Sequence, residues 1–191
     1  MKLSRILPVV LTVFFYSACH NQPDVPPSKK NYFPVRDYLR SQIADVDSVP
    51  SKMMEYDIQN GKTDSAVISL QTFNKLAAAF LLPDLDSVRF ENRFEENSFL
   101  DQSNNLLTFT YSTKDSSYGL RRVDVLATPN PGGTDKVKSI YLESSSSDTD
   151  GLKLTKMYWR AGKSFSIIHI YQPAHGETGT SQTNVVWDSS D

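Results

Sequence analysis

LLTFTYST, residues 106–113, and LRRVDVLAT, residues 120–128, are the stretches that decide the fold class. Leu107, Phe109 and Tyr111 share one side of the first, and Val123, Val125 and Ala127 share one side of the second. The opposite sides carry Thr108, Thr110, Ser112, Arg122 and Asp124. Successive side chains of a strand point to opposite faces, so this alternation describes an antiparallel sheet with one face on a core and one in water.

Outward from that pair, the spacing predicts further strands at 98–101, 136–143, 152–160, 164–171 and 183–187. Turn-rich links join them at 103–105, 129–134, 144–150, 161–163 and 173–182, and short links favour a meander. Toward the N-terminus the period changes. Val35, Tyr38, Leu39, Ile43 and Val46 fall on one helical stripe behind Pro34, a residue suited to a first turn. Residues 52–59 and 62–68 read as a hairpin about Asn60-Gly61. Ser69 can cap a second helix carrying Leu70, Phe73, Leu76, Ala77 and Phe80, stopped by Pro83. A shorter helix is expected within 84–94, where Phe90 and Phe94 lie one turn apart. Helices followed by strands define an α+β class: two to three N-terminal helices and a β-hairpin packed on an antiparallel meander sheet of about five to seven strands.

Two strands break the one-sided pattern. Met157 and Trp159 share one face of 152–160, and Leu152, Leu154 and Tyr158 the other. In 164–171, Phe165, Ile167 and Tyr171 oppose Ile168 and Ile170. Both faces call for cover. Either these are central strands buried on both sides, or one face is an apolar binding surface, for which Trp159, Met157, Phe165 and Ile167 are the candidates.

The start of the chain is a separate unit. Lys2 and Arg5 precede an apolar run from Ile6 to Tyr16. A membrane span takes about 20 apolar residues and the core of a secretory leader roughly 7–15, so the run fits a leader. Ser17 and Ala18 then lead into Cys19, the one cysteine of the chain. These residues resemble a bacterial lipoprotein leader with a signal-peptidase-II lipobox, Tyr16 standing where that pattern has leucine or another aliphatic residue. The resemblance implies cleavage before Cys19, a thioether from its sulfur to diacylglycerol, and acylation of the freed amino group. Each buried CH2 adds about 0.8 kcal/mol, so a few such chains anchor permanently. A cysteine used this way forms no disulfide, and the domain must stand on its core. The expected organisation is a signal peptide at 1–18, a lipid-anchored proline-rich tether at 19–31 containing HNQPDVPPSKK, and a single α+β domain at 32–191.

Without residues 1–18, which hold Lys2 and Arg5, 20 basic residues become 18 against 22 acidic ones, a formal charge of −4. A nucleic-acid partner wants a clustered basic face, which this balance does not offer. Ala161-Gly162-Lys163-Ser164 ends like a phosphate loop, but Met157 occupies the place of its first glycine. His169, His175 and Glu177 have no metal-site spacing, and Asp148-Thr149-Asp150-Gly151 lacks the third acid and distal glutamate of a calcium loop. No nucleophile–base motif occurs. No cofactor, metal or catalytic residue is expected.

Asp47-Ser48-Val49, Asp64-Ser65-Ala66 and Asp86-Ser87-Val88 resemble the O-glycosylation sequon of proteins exported by Bacteroidetes, which makes Ser48, Ser65 and Ser87 candidate sugar sites. Asp-Ser is also what helix caps and turns favour. The chain as a whole resembles the small lipoproteins of Bacteroidetes. By analogy with lipoprotein sorting signals, His20 rather than aspartate after Cys19 implies an outer-membrane anchor facing the periplasm. The expected function is a non-enzymatic envelope lipoprotein, on the membrane through Cys19, whose domain binds an envelope protein or an apolar ligand. A carrier or sensor holding an apolar ligand on a curved sheet is the alternative, and a hydrolase built from scattered residues the remoter one.

Overall fold

A computed structural model describes residues 32–48 and 52–188. Cys19, the expected leader and the tether lie outside the described residues. Helix α1 (Val35–Ser48) is followed by strands β1 (Met53–Gln59) and β2 (Lys62–Ile68), then α2 (Leu70–Ala77). Short 3-10 turns at Ala78–Phe80 and Pro83–Leu85 lead to α3 (Ser87–Arg93). The rest is strand: β3 (Glu95–Asp101), β4 (Leu106–Ser112), β5 (Leu120–Thr128), β6 (Lys136–Ser147), β7 (Gly151–Arg160), β8 (Ser164–Pro173) and β9 (Gly179–Val186).

Local chemistry accounts for the turns. Asn60 and Gly61 both have positive φ, 51° and 76°, the geometry of a two-residue hairpin whose twist matches its strands. The Ser69 hydroxyl accepts from the Thr72 amide at 3.2 Å, capping α2. Asp101 closes the β3–β4 turn by accepting from the Ser103 amide and hydroxyl at 2.9 and 2.6 Å.

The nine strands form one sheet in the order β2-β1-β9-β8-β7-β6-β5-β4-β3, antiparallel throughout. The sheet is therefore larger than the five to seven strands expected. β3 to β9 are the expected meander, but the N-terminal hairpin does not pack on it. β1 pairs edge to edge with β9, from Met54 opposite Val186 to Gln59 opposite Ser181. Left alone, β9 would expose a row of unpaired amides and carbonyls, which the hairpin satisfies. Several strands also run past their expected ends. β6 continues through Ser144–Ser147, read from sequence as a connector, because each of these serines pairs with β7, from Thr155 back to Leu152. Backbone pairing overrides serine's poor strand propensity.

All helices cover one face. Tyr111, Val123, Leu142, Met157 and Ile167 line up across neighbouring strands, as do Val125, Ile140, Trp159, Phe165 and Val185. They form one buried cluster with Val35, Leu39 and Val46 of α1, Phe73 and Ala77 of α2, and Phe80, Leu85, Phe90 and Phe94 beyond it. Each large apolar side chain so buried contributes about 1.5–3 kcal/mol. Tyr111 ties in the N-terminal segment, its hydroxyl accepting from the Phe33 amide at 3.0 Å. Burial raises this phenol's pKa well above the ordinary tyrosine value.

Candidate functional site

Met157, Trp159, Phe165 and Ile167, the expected apolar binding face, are all core. Their exposures are 2%, 0%, 2% and 5%. Phe80 meets Trp159 edge-on at 5.1 Å, Phe73 meets Phe165 at 5.7 Å, and Trp159 stacks on Phe165 at 5.5 Å. The expectation of a binding surface on these four is corrected accordingly: alternation shows which side chains share a face but not which face the helices take.

The opposite face carries no helix among the described residues. One row across it holds Thr110, Asp124, Tyr141, Tyr158, Ser166, Asn184 and Tyr56; the next holds Arg122, Glu143, Lys156, Ile168, Gln182 and Ile58. The two ends of this face differ. Over β4 and β5 it holds Leu106 and Leu126 beside a bonded polar group: Asp124 accepts from the Thr110 hydroxyl at 2.8 Å and from Arg122 Nε at 2.9 Å. The Asp124 carboxylate accordingly holds the Arg122 guanidinium above its usual pKa. Tyr141 donates to Glu143 at 2.6 Å, and its phenol is raised first by burial and then by that carboxylate. Over β7, β8 and β1 the same face carries Leu152, Leu154, Tyr158, Ile168, Ile170, Tyr56 and Ile58, none of them buried and Tyr158 41% exposed. Sequence reading noted the second face of these strands; that it stays uncovered depends on which side the helices pack.

A pocket of about 400 Å3 lies at the other end of β6, β7 and β8; Gly119, Ser144, Ser146, Lys153, Thr155, His169 and Tyr171 are among its lining residues, with Ser145, Leu154 and Ile170. Register puts Ser144, Thr155 and His169 side by side on the core-facing side of the sheet, with Ser146, Lys153 and Tyr171 as the next row. Thr155 Oγ1 lies 3.1 Å from His169 Nδ1. Lys153 Nζ is 3.6 Å from Asp148 Oδ2 and 5.9 Å from the centre of the Tyr171 ring, whose hydroxyl donates to the Asp150 carbonyl at 3.0 Å. The strand extension through the serines, missed from sequence, supplies one wall.

The remaining motifs lie elsewhere in the fold. Asp148 Oδ1 accepts from the Asp150 and Gly151 amides at 2.9 and 3.1 Å, closing the β6–β7 turn. The first of these holds its carboxyl below the usual range. Gly162, with φ of 69°, turns the β7–β8 hairpin, and its amide donates to Gln42 Oε1 of α1 at 3.0 Å. His175 and Glu177 join no metal-competent group among the described residues. The three Asp-Ser pairs occupy different settings. Ser48 ends α1 and donates to the Ala44 carbonyl at 3.0 Å; Ser65 is exposed in edge strand β2, opposite Tyr56; and Ser87 opens α3. Ser48 and Ser65 are thus not at turns.

No protein family, curated protein or solved structure matches this chain. Its fold is a nine-stranded antiparallel sheet with helices on one side, and the face those helices leave free is the candidate site.

Proposed function

We propose that this protein is a lipid-anchored envelope lipoprotein, held by Cys19 at the outer membrane and facing the periplasm, whose domain binds a protein partner through the open face of its sheet. The observation that carries the reading is the contrast along that face. β4 and β5 present Leu106, Thr108, Thr110, Arg122, Asp124 and Leu126, a mixed surface with polar groups bonded to one another. β7, β8 and β1 present Leu154, Tyr158, Ile168, Ile170, Tyr56 and Ile58, a mixture of rings and aliphatic side chains suited to an interface centre. Nine strands about 4.8 Å apart make a platform roughly 40 Å wide, broad enough for the ~800 Å2 per partner of a stable interface.

A face with no helix over it among the described residues favours a protein over a carrier's enclosed ligand. The hydroxyl–imidazole pair of Thr155 and His169 has no carboxylate bonded to the ring among the described residues, so it lacks the orienting third group of an activated nucleophile. The reading is tested by placing a photo-crosslinking amino acid at Tyr56, at Tyr158 and, as a control on α2, at Lys75 in growing cells. One adduct of common mass from the first two positions and none from Lys75 supports it. Adducts unrelated to position, or none from the sheet, reject it.

A further inference from the structure

β6, β7 and β8 continue beyond their own last core residues, Leu142, Met157 and Ile167, into the row where Ser144 pairs with the buried Leu120 of β5. Ordering those extra residues costs conformational entropy that no buried apolar side chain offsets. Their character changes at the same point: the helix-side face turns from aliphatic and aromatic to Ser144, Thr155 and His169, then Ser146, Lys153 and Tyr171. The pocket they line is about 400 Å3, within the size range of small-molecule sites.

We infer that this pocket binds a small organic anion, a phosphate or carboxylate group attached to a flat apolar body. Neighbouring strands lie about 4.8 Å apart, so the Ser144 hydroxyl and the one hydrogen that the Thr155–His169 contact leaves over can reach one ligand. Lys153 brings the positive charge. Its contact to Asp148 is 3.6 Å and both partners are half exposed, which leaves the ammonium donors free for a shorter, charge-assisted bond. Asp148 turns its other oxygen to the Asp150 and Gly151 amides. The Tyr171 ring beside Lys153 supplies a surface for the ligand's apolar part. The polar groups it uses belong to the helix side of the sheet, although Ser145, Leu154 and Ile170 of the open face also border the pocket.

Isothermal titration of the full-length, detergent-solubilised protein with phenyl phosphate and with benzoate tests it, phenol serving as the neutral control. Saturable binding of at least one anion, weakened about tenfold or more in both Lys153→Gln and His169→Gln, is expected. Both residues are exposed, and unchanged circular-dichroism melting of the variants shows that the fold is retained. No saturable binding of either anion, equal binding of phenol, or affinity untouched by the two substitutions overturns the inference.

Discussion

Tyr158 and Trp159, consecutive in β7, stand on opposite sides of the sheet: Trp159 is fully buried against Phe80 and Phe165, while Tyr158 is 41% exposed on the open face. The same truncation therefore has two outcomes. Trp159→Ala costs about 3–5 kcal/mol, whereas Tyr158→Ala stays within about 0.5 kcal/mol. Chemical denaturation of both variants measures this, and equal losses contradict the assignment of faces.

The Trp159 indole N–H is buried with no hydrogen-bond partner among the described residues. An unsatisfied buried donor carries a penalty of about 1–3 kcal/mol. Trp159→Phe removes that donor while keeping a ring against Phe80, so its cost is well below that of Trp159→Ala. A phenylalanine variant as unstable as the alanine one shows that a ring against Phe80 does not by itself restore the packing and that the full indole is needed.

The layering was only half legible in the sequence. The alternation of Phe109, Tyr111, Val123 and Val125 fixes the strands and their core side, and Asn60-Gly61 fixes the hairpin. For β7 and β8 the sequence is apolar on both sides, and the choice between Trp159 and Tyr158 is made by long-range packing of Phe73 and Phe80. Likewise no local signal joins β1 to β9. Those pairings lie more than a hundred residues apart, and local propensity says nothing about them. The serines at 144–147 mislead for the same reason: their strand state is imposed by β7.

Gly151 opens β7 opposite Pro173 with φ of 152°, and a Cβ there would stand 2.8 Å from the Pro173 Cα. Backbone cannot yield as a flexible side chain can. Gly151→Ala is expected to cost about 1–3 kcal/mol and to part the ends of β7 and β8. Hydrogen exchange of the Leu152 and Lys153 amides reports this; unchanged protection argues that the turn relaxes without strain.

The anchor and the sugars are read by one intact-mass measurement on protein from native membranes. A mature chain beginning at Cys19 and carrying acyl mass is expected, with a further excess if Ser48, Ser65 and Ser87 bear glycans. Cys19→Ser leaves the precursor uncleaved or frees the protein from the membrane fraction. A mass explained by polypeptide and acyl chains alone removes the glycans, and a Cys19→Ser protein that matures at the same site and stays in the membrane removes the anchor.

The central claim is that the protein works through the face its helices leave open. Ile168 lies on that face between Lys156 and Gln182, so Ile168→Asp adds a charge where a partner would pack and leaves the core intact. The most direct measurement is the yield of the in-cell photo-adduct from Tyr56 in the Ile168→Asp background, together with the melting temperature of that variant. Loss of the adduct with melting unchanged is the predicted result. An undiminished adduct, or one lost only because the fold melts, contradicts the claim.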